Sequence, residues 1–385
     1  MHLAPTAAQL WLRAELRAYF QDLLPDGPPA DPEARRALLR RMGSDGLLGI
    51  GWPVEYGGRG RGADEQFVFF DEAYRAGAPV SMVTLNTVGP TLMTYGTREQ
   101  KDRFLPRILA GEAVFAIGYT EPGAGTDLAA LQTRAVRDGD GWVIDGQKSF
   151  TSNAQHADWI WLACRTDPGA PRHEGISIIL VPTSAPGFSW TPVETVGGLM
   201  TTCTYYDSVR VPAGNLVGPE NGGWRLITNQ LNHERVALAA IGMQAEEFLG
   251  SALRYARTAD PATGERPADR PWVRSRLAEA HARLAALRLL NWRLVQDVGA
   301  GTLAPGDAAG VKFLGTEAAV EVYRMCQEAV GEEAFLRGGE PGAFAGGELE
   351  RLNRAAQINT FGGGVSEVQR EIVAVMRLGM RGGKR

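Results

Sequence analysis

Tyr119-Thr120-Glu121-Pro122-Gly123-Ala124-Gly125-Thr126-Asp127 stands where an apolar run, residues 113–120, ends in a turn of small residues. The run reads as a strand. Glycine at 123 and 125 lets main-chain N–H groups come close to a bound group, and the Thr120 and Thr126 hydroxyls add polar contacts. Such a turn suits a phosphate or a cofactor, although Gly-x-Gly beside proline also makes plain tight turns. It is not a P-loop, because no Gly-Lys-Ser/Thr follows. Nor is it a dinucleotide fingerprint, because strand-like sequence rather than a helix comes next.

On either side of this turn the hydrophobic period changes. Up to about residue 112 it is helical: Asp31-Pro32 opens a helix that Gly43 is expected to end, residues 63–76 form another, and Thr97-x-x-Gln100 is a capping box. Trp52-Pro-Val-Glu-Tyr-Gly-Gly58 reads as a connector. From 113 to 223 the period is two. Residues 133–137 and 142–145 flank a glycine-rich hairpin turn, and 159–164, 176–181 and 202–211 are further strands. After Gly222-Gly223 helices return, over 224–256, 271–297, 307–330 and 348–358, with Ser366-x-x-Gln369 capping a last one to about 378. The expected fold class is α+β and multidomain. An N-terminal all-α domain (1–112) precedes a small central β-barrel or sandwich (113–223) and a C-terminal four-helix bundle with a terminal helix (224–385).

The chain has 385 residues, 44% hydrophobic and 22% charged, enough for several well-buried cores. A net charge of −4 and a pI near 5.9 leave no basic footprint, so nucleic acid is not an expected partner. No apolar run reaches the eighteen or so residues of a membrane span, and the start lacks a signal-peptide layout, so the expected location is cytoplasmic. Cys164, Cys203 and Cys326 form no CxxC pair and the five histidines are scattered, which argues against a disulfide framework or a metal site.

One charge is out of place. Trp224, Ile227, Leu231, Glu234, Leu238 and Ile241 recur at spacings of three and four, so the Glu234 carboxylate falls on a stripe that should face inward. A buried ion pair is one explanation. The other is a desolvated base, its pKa raised toward what abstraction of a carbon-bound proton requires.

The turn at 119–127, followed by Asp145-Gly-Gln-Lys-Ser-Phe-Thr-Ser-Asn153, resembles the flavin-binding signature of the acyl-CoA dehydrogenase superfamily. The resemblance continues through Val209-Arg-Val-Pro212, Asn232-His-Glu-Arg235 and Phe361-Gly-Gly-Gly-Val-Ser-Glu-Val-Gln-Arg370, covering nearly the full length. It implies FAD as cofactor and α,β-dehydrogenation of an acyl-CoA thioester, with electrons passed to an electron-transfer flavoprotein. The cofactor residues it implies are Ile117, Tyr119, Thr120, Gly125 and Thr126, then Phe150 packed on the isoalloxazine, Thr151, and Ser152 facing N5. Val365, Ser366 and Glu367 are implied near the flavin, and Gly331 in a segment meeting a neighbouring subunit's FAD. On the substrate side the implied residues are Thr126, Asn232, Arg235 and Gly364.

Most family members carry the catalytic glutamate before the last helix, where this chain has Gly363. A minority, among them members acting on branched, long-chain and steroid side-chain substrates, carry it at the position matching Glu234. The two departures compensate, so the resemblance implies Glu234 as base. The Gly363 amide is then still able to stabilise the thioester oxygen, because that donor is main-chain, and glycine leaves room for a bulky acyl group.

The match frays at the segments that meet a neighbouring subunit, here Arg257-Thr-Ala-Asp-Pro-Ala-Thr-Gly264 and Glu328-Ala-Val-Gly-Glu-Glu-Ala334. Two assemblies are compatible, a homotetramer with altered contacts or an α2β2 heterotetramer with a paralogous chain. Competing readings are a flavin oxidase or monooxygenase, a dehydrogenase of carrier-protein thioesters, and a non-catalytic subunit.

Overall fold

The computed structural model describes residues 4–230, 243–261 and 263–380. Five helices come first: α1 (Ala7–Leu23), α2 (Pro32–Ser44), α3 (Ala63–Arg75), α4 (Gly89–Tyr95) and α5 (Arg98–Leu109). Capping boxes open α1, through Thr6 and Gln9, and α5, through Thr97 and Gln100; the Asp31 side chain caps α2. Leu12, Leu16 and Phe20, four residues apart, form the buried stripe of α1. Before α4 the chain makes a π-helical turn, Val83–Val88.

Gly43 does not end α2. The helix continues to Ser44, and a Cβ at position 43 would stand 2.5 Å from the Ala110 carbonyl carbon. The glycine is there for close approach of two backbones rather than as a stop signal.

Eight strands follow: β1 (Phe115–Gly118), β2 (Arg134–Asp138), β3 (Gly141–Lys148), β4 (Trp159–Arg165), β5 (Ile176–Pro182), β6 (Phe188–Glu194), β7 (Met200–Pro212) and β8 (Leu216–Val217). Their order is β6-β7-β3-β2-β4-β5-β8, with β1 parallel to β4. The halves β6-β7-β3-β2 and β1-β4-β5-β8 meet at one residue pair, Arg134 with Arg165. They fold over a shared core of Ala135, Trp142, Ile144, Ile160, Leu162, Ile179, Val181, Val209 and Val211, as expected of a small sandwich or barrel. The other face of β4 and β5, with Trp159, Trp161, Ala163, Ile178 and Leu180, joins a second core with the N-terminal helices and with Trp292 and Leu294.

The C-terminal helices are α6 (described over 223–230), α7 (Ala245–Arg257), α8 (Pro271–Gly299), α9 (Pro305–Val330), α10 (Glu348–Ala356) and α11 (Ser366–Ile372), the last running into a π-helical turn, Val373–Arg377. Two expectations change here. The helix expected over 224–256 is interrupted, since Met243 and Gln244 form a turn from which α7 starts afresh. Ser366 is not a cap: Val365 holds the N-cap position, and the Ser366 hydroxyl donates 3.1 Å back to the Thr360 carbonyl. The glycines before it let the chain enter the helix one residue earlier, with φ of +66° at Gly363 and +101° at Gly364.

Helix propensity favours Gly43→Ala by about 1 kcal/mol, but the new Cβ would push against the main chain of Leu109 and Ala110. Overpacking of this kind costs about 1–3 kcal/mol. The expected outcome is a lower denaturant midpoint with an unchanged slope in urea unfolding.

Candidate active site

The turn at 119–127 is held from below. Lys148, fully buried at the end of β3, places its Nζ 3.0 Å from the Tyr119 carbonyl and 2.8 Å from Glu121 Oε1. The Glu121 carboxylate also accepts the amides of Gln132 at 2.7 Å and Thr133 at 2.8 Å. Burial works to raise the Glu121 pKa, but the Lys148 charge and these hydrogen bonds prevail and hold it below the ordinary glutamate range. Ser149 N donates 2.8 Å to the Thr120 carbonyl, joining the two signature segments, and Glu121 and Ala124 exchange main-chain hydrogen bonds that close the turn.

What the turn leaves open matters as much. A Cβ at Gly123 would meet nothing within 4 Å, and one at Gly125 only the Thr120 methyl at 3.8 Å. Among the described residues the amides of Thr120, Gly123, Gly125 and Thr126 have no acceptor. Gly125 and Thr126 are exposed, while Ile117, Tyr119 and Thr120 are half-buried.

Phe150 is in an unusual state. It is a large aromatic left 64% exposed, with φ at +59°, a conformation that costs a non-glycine residue roughly 1–2 kcal/mol. Its neighbours impose it. Thr151 N donates 2.8 Å to the Thr202 carbonyl, the Thr202 hydroxyl donates 2.6 Å to the Thr151 carbonyl, and the exposed Ser152 shares a 3.2 Å hydrogen bond with Thr201 on β7.

The glycine loop at 362–364 is anchored by a second buried lysine. Lys312, on α9, donates to the carbonyls of Asn359 at 2.9 Å and Gly364 at 2.6 Å. At Gly364 a Cβ would stand 2.4 Å from Gln369 Nε2. Val365 is half-buried, Ser366 buried and Glu367 exposed at the start of α11. The β6–β7 hairpin reaches α10, just before this loop, where Arg354 donates to the Val196 carbonyl and Gly197 packs on Ala355. Gly331 is elsewhere. It ends α9 with φ at +91°, roughly 28 Å along the helix from Lys312 at 1.5 Å per residue.

Tyr119 ties the turn to α6. Its hydroxyl accepts from the Trp161 indole at 3.1 Å and donates to Gln230 Oε1. Gln230 stands four residues before Glu234. Asn232, Glu234 and Arg235 lie outside the described residues.

Two cavities border α3. One of 360 Å³ is lined by Arg13, Arg17, Asp71, Arg75, Glu246 and Arg288, charges already paired with one another or with Glu72, and by none of the residues expected in the site. The other, of 220 Å³, is mainly apolar, with Trp52, Phe67, Phe70, Leu85 and Met93 in its walls. Neither is the cradle at 119–127.

Compared with known proteins, the chain matches the acyl-CoA dehydrogenase N-terminal domain over residues 6–112, the middle domain over 116–208 and the C-terminal domain over 221–377. It belongs to the acyl-CoA dehydrogenase family. It is 49% identical to the acyl-CoA dehydrogenase FadE26 of Mycobacterium tuberculosis over 99% of both chains. Among solved structures it is similar to the Tcur3481-Tcur3483 steroid ACAD, with a TM-score of 0.94 and 53% identity over the whole of both chains. It is also similar to the ChsE4-ChsE5 complex from Mycobacterium tuberculosis, with a TM-score of 0.92 and 49% identity over the whole of both. The chain is an oxidoreductase of this family, with the family's three-part fold. Among the described residues no helix is long and apolar enough to cross a membrane.

The residues missed by sequence reasoning are Glu121, Lys148 and Lys312, which hold the site rather than face outward. A signal existed for both lysines. Lys148 keeps the inward phase of Trp142 and Ile144 on β3, and Lys312 lies between Ala308 and Thr316 on the buried stripe of α9.

Because the folded pKa of Glu121 is depressed, the stability it contributes is fully present above the ordinary glutamate value. It is lost as pH falls through the lowered one. We expect the wild-type denaturant midpoint to fall in that acid window more steeply than that of Glu121→Gln/Lys148→Met; parallel curves would remove the pair from the account.

Proposed function

We propose that this chain is the catalytic subunit of an FAD-dependent acyl-CoA dehydrogenase that removes hydrogens from Cα and Cβ of an acyl thioester. The observation that carries the reading is the joined surface of residues 119–127 and 148–153. Its open glycine positions and acceptor-free amides suit the polar atoms of a flavin nucleotide, and its exposed, conformationally constrained Phe150 suits the flat ring. FAD, when bound there, supplies the acceptor for the hydride leaving Cβ.

Ile117, Tyr119, Thr120, Gly125, Thr126, Phe150, Thr151 and Ser152 hold the cofactor in this reading, with Val365, Ser366 and Glu367 on its second side. Glu234 takes the α-proton. Position 363 has no side chain to act as base, while its main-chain N–H is retained as a donor to the thioester oxygen. Thr126, Asn232, Arg235 and Gly364 border the substrate. A base on α6 rather than at 363 leaves the glycine loop free of bulk, which suits a wide acyl group, and the similar steroid ACAD is named for such substrates.

The assembly is an α2β2 heterotetramer in preference to a homotetramer. The structural relatives named above are each described by two gene products, one pair explicitly as a complex. Gly331, at the end of α9 and several turns along that helix from Lys312, meets the neighbour's FAD in this reading. An electron-transfer flavoprotein takes the electrons on.

The test is anaerobic bleaching of bound flavin by straight-chain, branched and ring-bearing acyl-CoAs, with the chain alone and with its paralogue. Glu234→Gln is expected to keep FAD and slow bleaching about 10²–10⁴-fold, the usual loss for a general base. Normal reduction in that variant would refute Glu234 as base. Protein that is colourless both alone and with its partner would indicate a non-catalytic subunit, and rapid re-oxidation by air would favour an oxidase.

A further inference from the structure

The buried Lys148 ammonium has two jobs where an ion pair needs only one. Besides Glu121 at 2.8 Å it binds the Tyr119 carbonyl at 3.0 Å. In a trans peptide the C=O and the following N–H point in opposite directions. Drawing the Tyr119 oxygen toward a fully buried ammonium therefore turns the Thr120 N–H away from that buried centre. The next peptide is fixed at both ends, with the Thr120 carbonyl accepting Ser149 N at 2.8 Å and Glu121 N donating 2.9 Å to the Ala124 carbonyl. Between these clamps the Thr120 amide has no acceptor among the described residues.

We propose that Lys148 is a positioning residue for the cofactor: by holding the Tyr119 carbonyl it aims the Thr120 N–H as a fixed donor to a polar edge of the flavin ring. The inference rests on the flavin reading given above. Lysine suits the task because its compact head bonds a carbonyl and a carboxylate together in a closed space, whereas the arginine fork needs more room. Glu121 keeps the ammonium charged and is itself satisfied by the Gln132 and Thr133 amides, so its part is to hold Lys148 in place.

The test removes both charges together, because Lys148→Met alone would leave a buried carboxylate without its cation. Wild type and Lys148→Met/Glu121→Gln, each as full chain with its partner subunit, are stripped of flavin and titrated with FAD, and the visible flavin spectrum is recorded. The expected result is FAD binding weakened about tenfold, the worth of one well-aimed hydrogen bond, with a shifted flavin band. Thermal unfolding of the flavin-free protein is the control for folding. A folded double variant that binds FAD as tightly as wild type, with the same spectrum, overturns the positioning role and leaves the flavin reading intact. Wild type that takes up no FAD overturns the flavin reading itself. Should the Met/Gln pair not fold, Lys148→Gln/Glu121→Gln, an amide pair of similar volume, is measured by the same two readouts and judged by the same outcomes.

Discussion

Strand β4 has no free face. Trp159, Trp161 and Ala163 point into the core shared with the helices, while Ile160, Leu162 and Cys164 point into the core between the two halves of the sheet. A strand buried on both sides cannot slip by one residue without exchanging its two sets of side chains, so its register is strongly determined. β1 pairs with it in parallel, and β1 ends just before the turn at 119–127. The placement of the turn thus inherits the rigidity of a strand buried on both faces.

The functional surface extends this scaffold by two steps. Hydrogen bonds from Ser149 and Lys148 bring the second signature segment against the first, and β7 then holds Thr151 and Ser152 so that Phe150 must project outward. Along β7 and the β6–β7 hairpin the chain reaches α10 and the glycine loop, which Lys312 fastens to α9. Main-chain carbonyls, rather than side chains alone, take most of these bonds. Such bonds fix the path of the backbone with little dependence on which side chains the bonded residues carry.

Much of this was legible in the sequence because local rules and tertiary structure agreed. The Thr97 capping box and the hairpin between β2 and β3 stand where residue chemistry put them, and the segments 119–127 and 145–153 lie side by side. The failures have separate causes. Edge strand β6 contains Pro192 and is largely exposed, so it shows neither alternation nor a clean run. Gly43 looked like a helix stop but answers to the backbone of Ala110, 67 residues further along the chain. Ser366 looked like a cap but is drawn to Thr360 by a loop whose path depends on positive φ. Glu121 and Lys148 were in plain view within the quoted motifs. Their partnership across the turn is set by the tertiary fold, since an inward phase on a strand does not name what waits inside.

Of the 385 residues only four are lysines, Lys101, Lys148, Lys312 and Lys384, against thirty-six arginines. Acyl thioesters are acyl donors toward free amines, and the guanidinium, always protonated, is a poor nucleophile by comparison. The two lysines that shape the site are shielded from solvent and bound to main-chain oxygens. A member of a family that handles acyl thioesters thus keeps its two buried amines out of their reach, and its surface positive charge is carried chiefly by guanidinium groups, which acylate poorly.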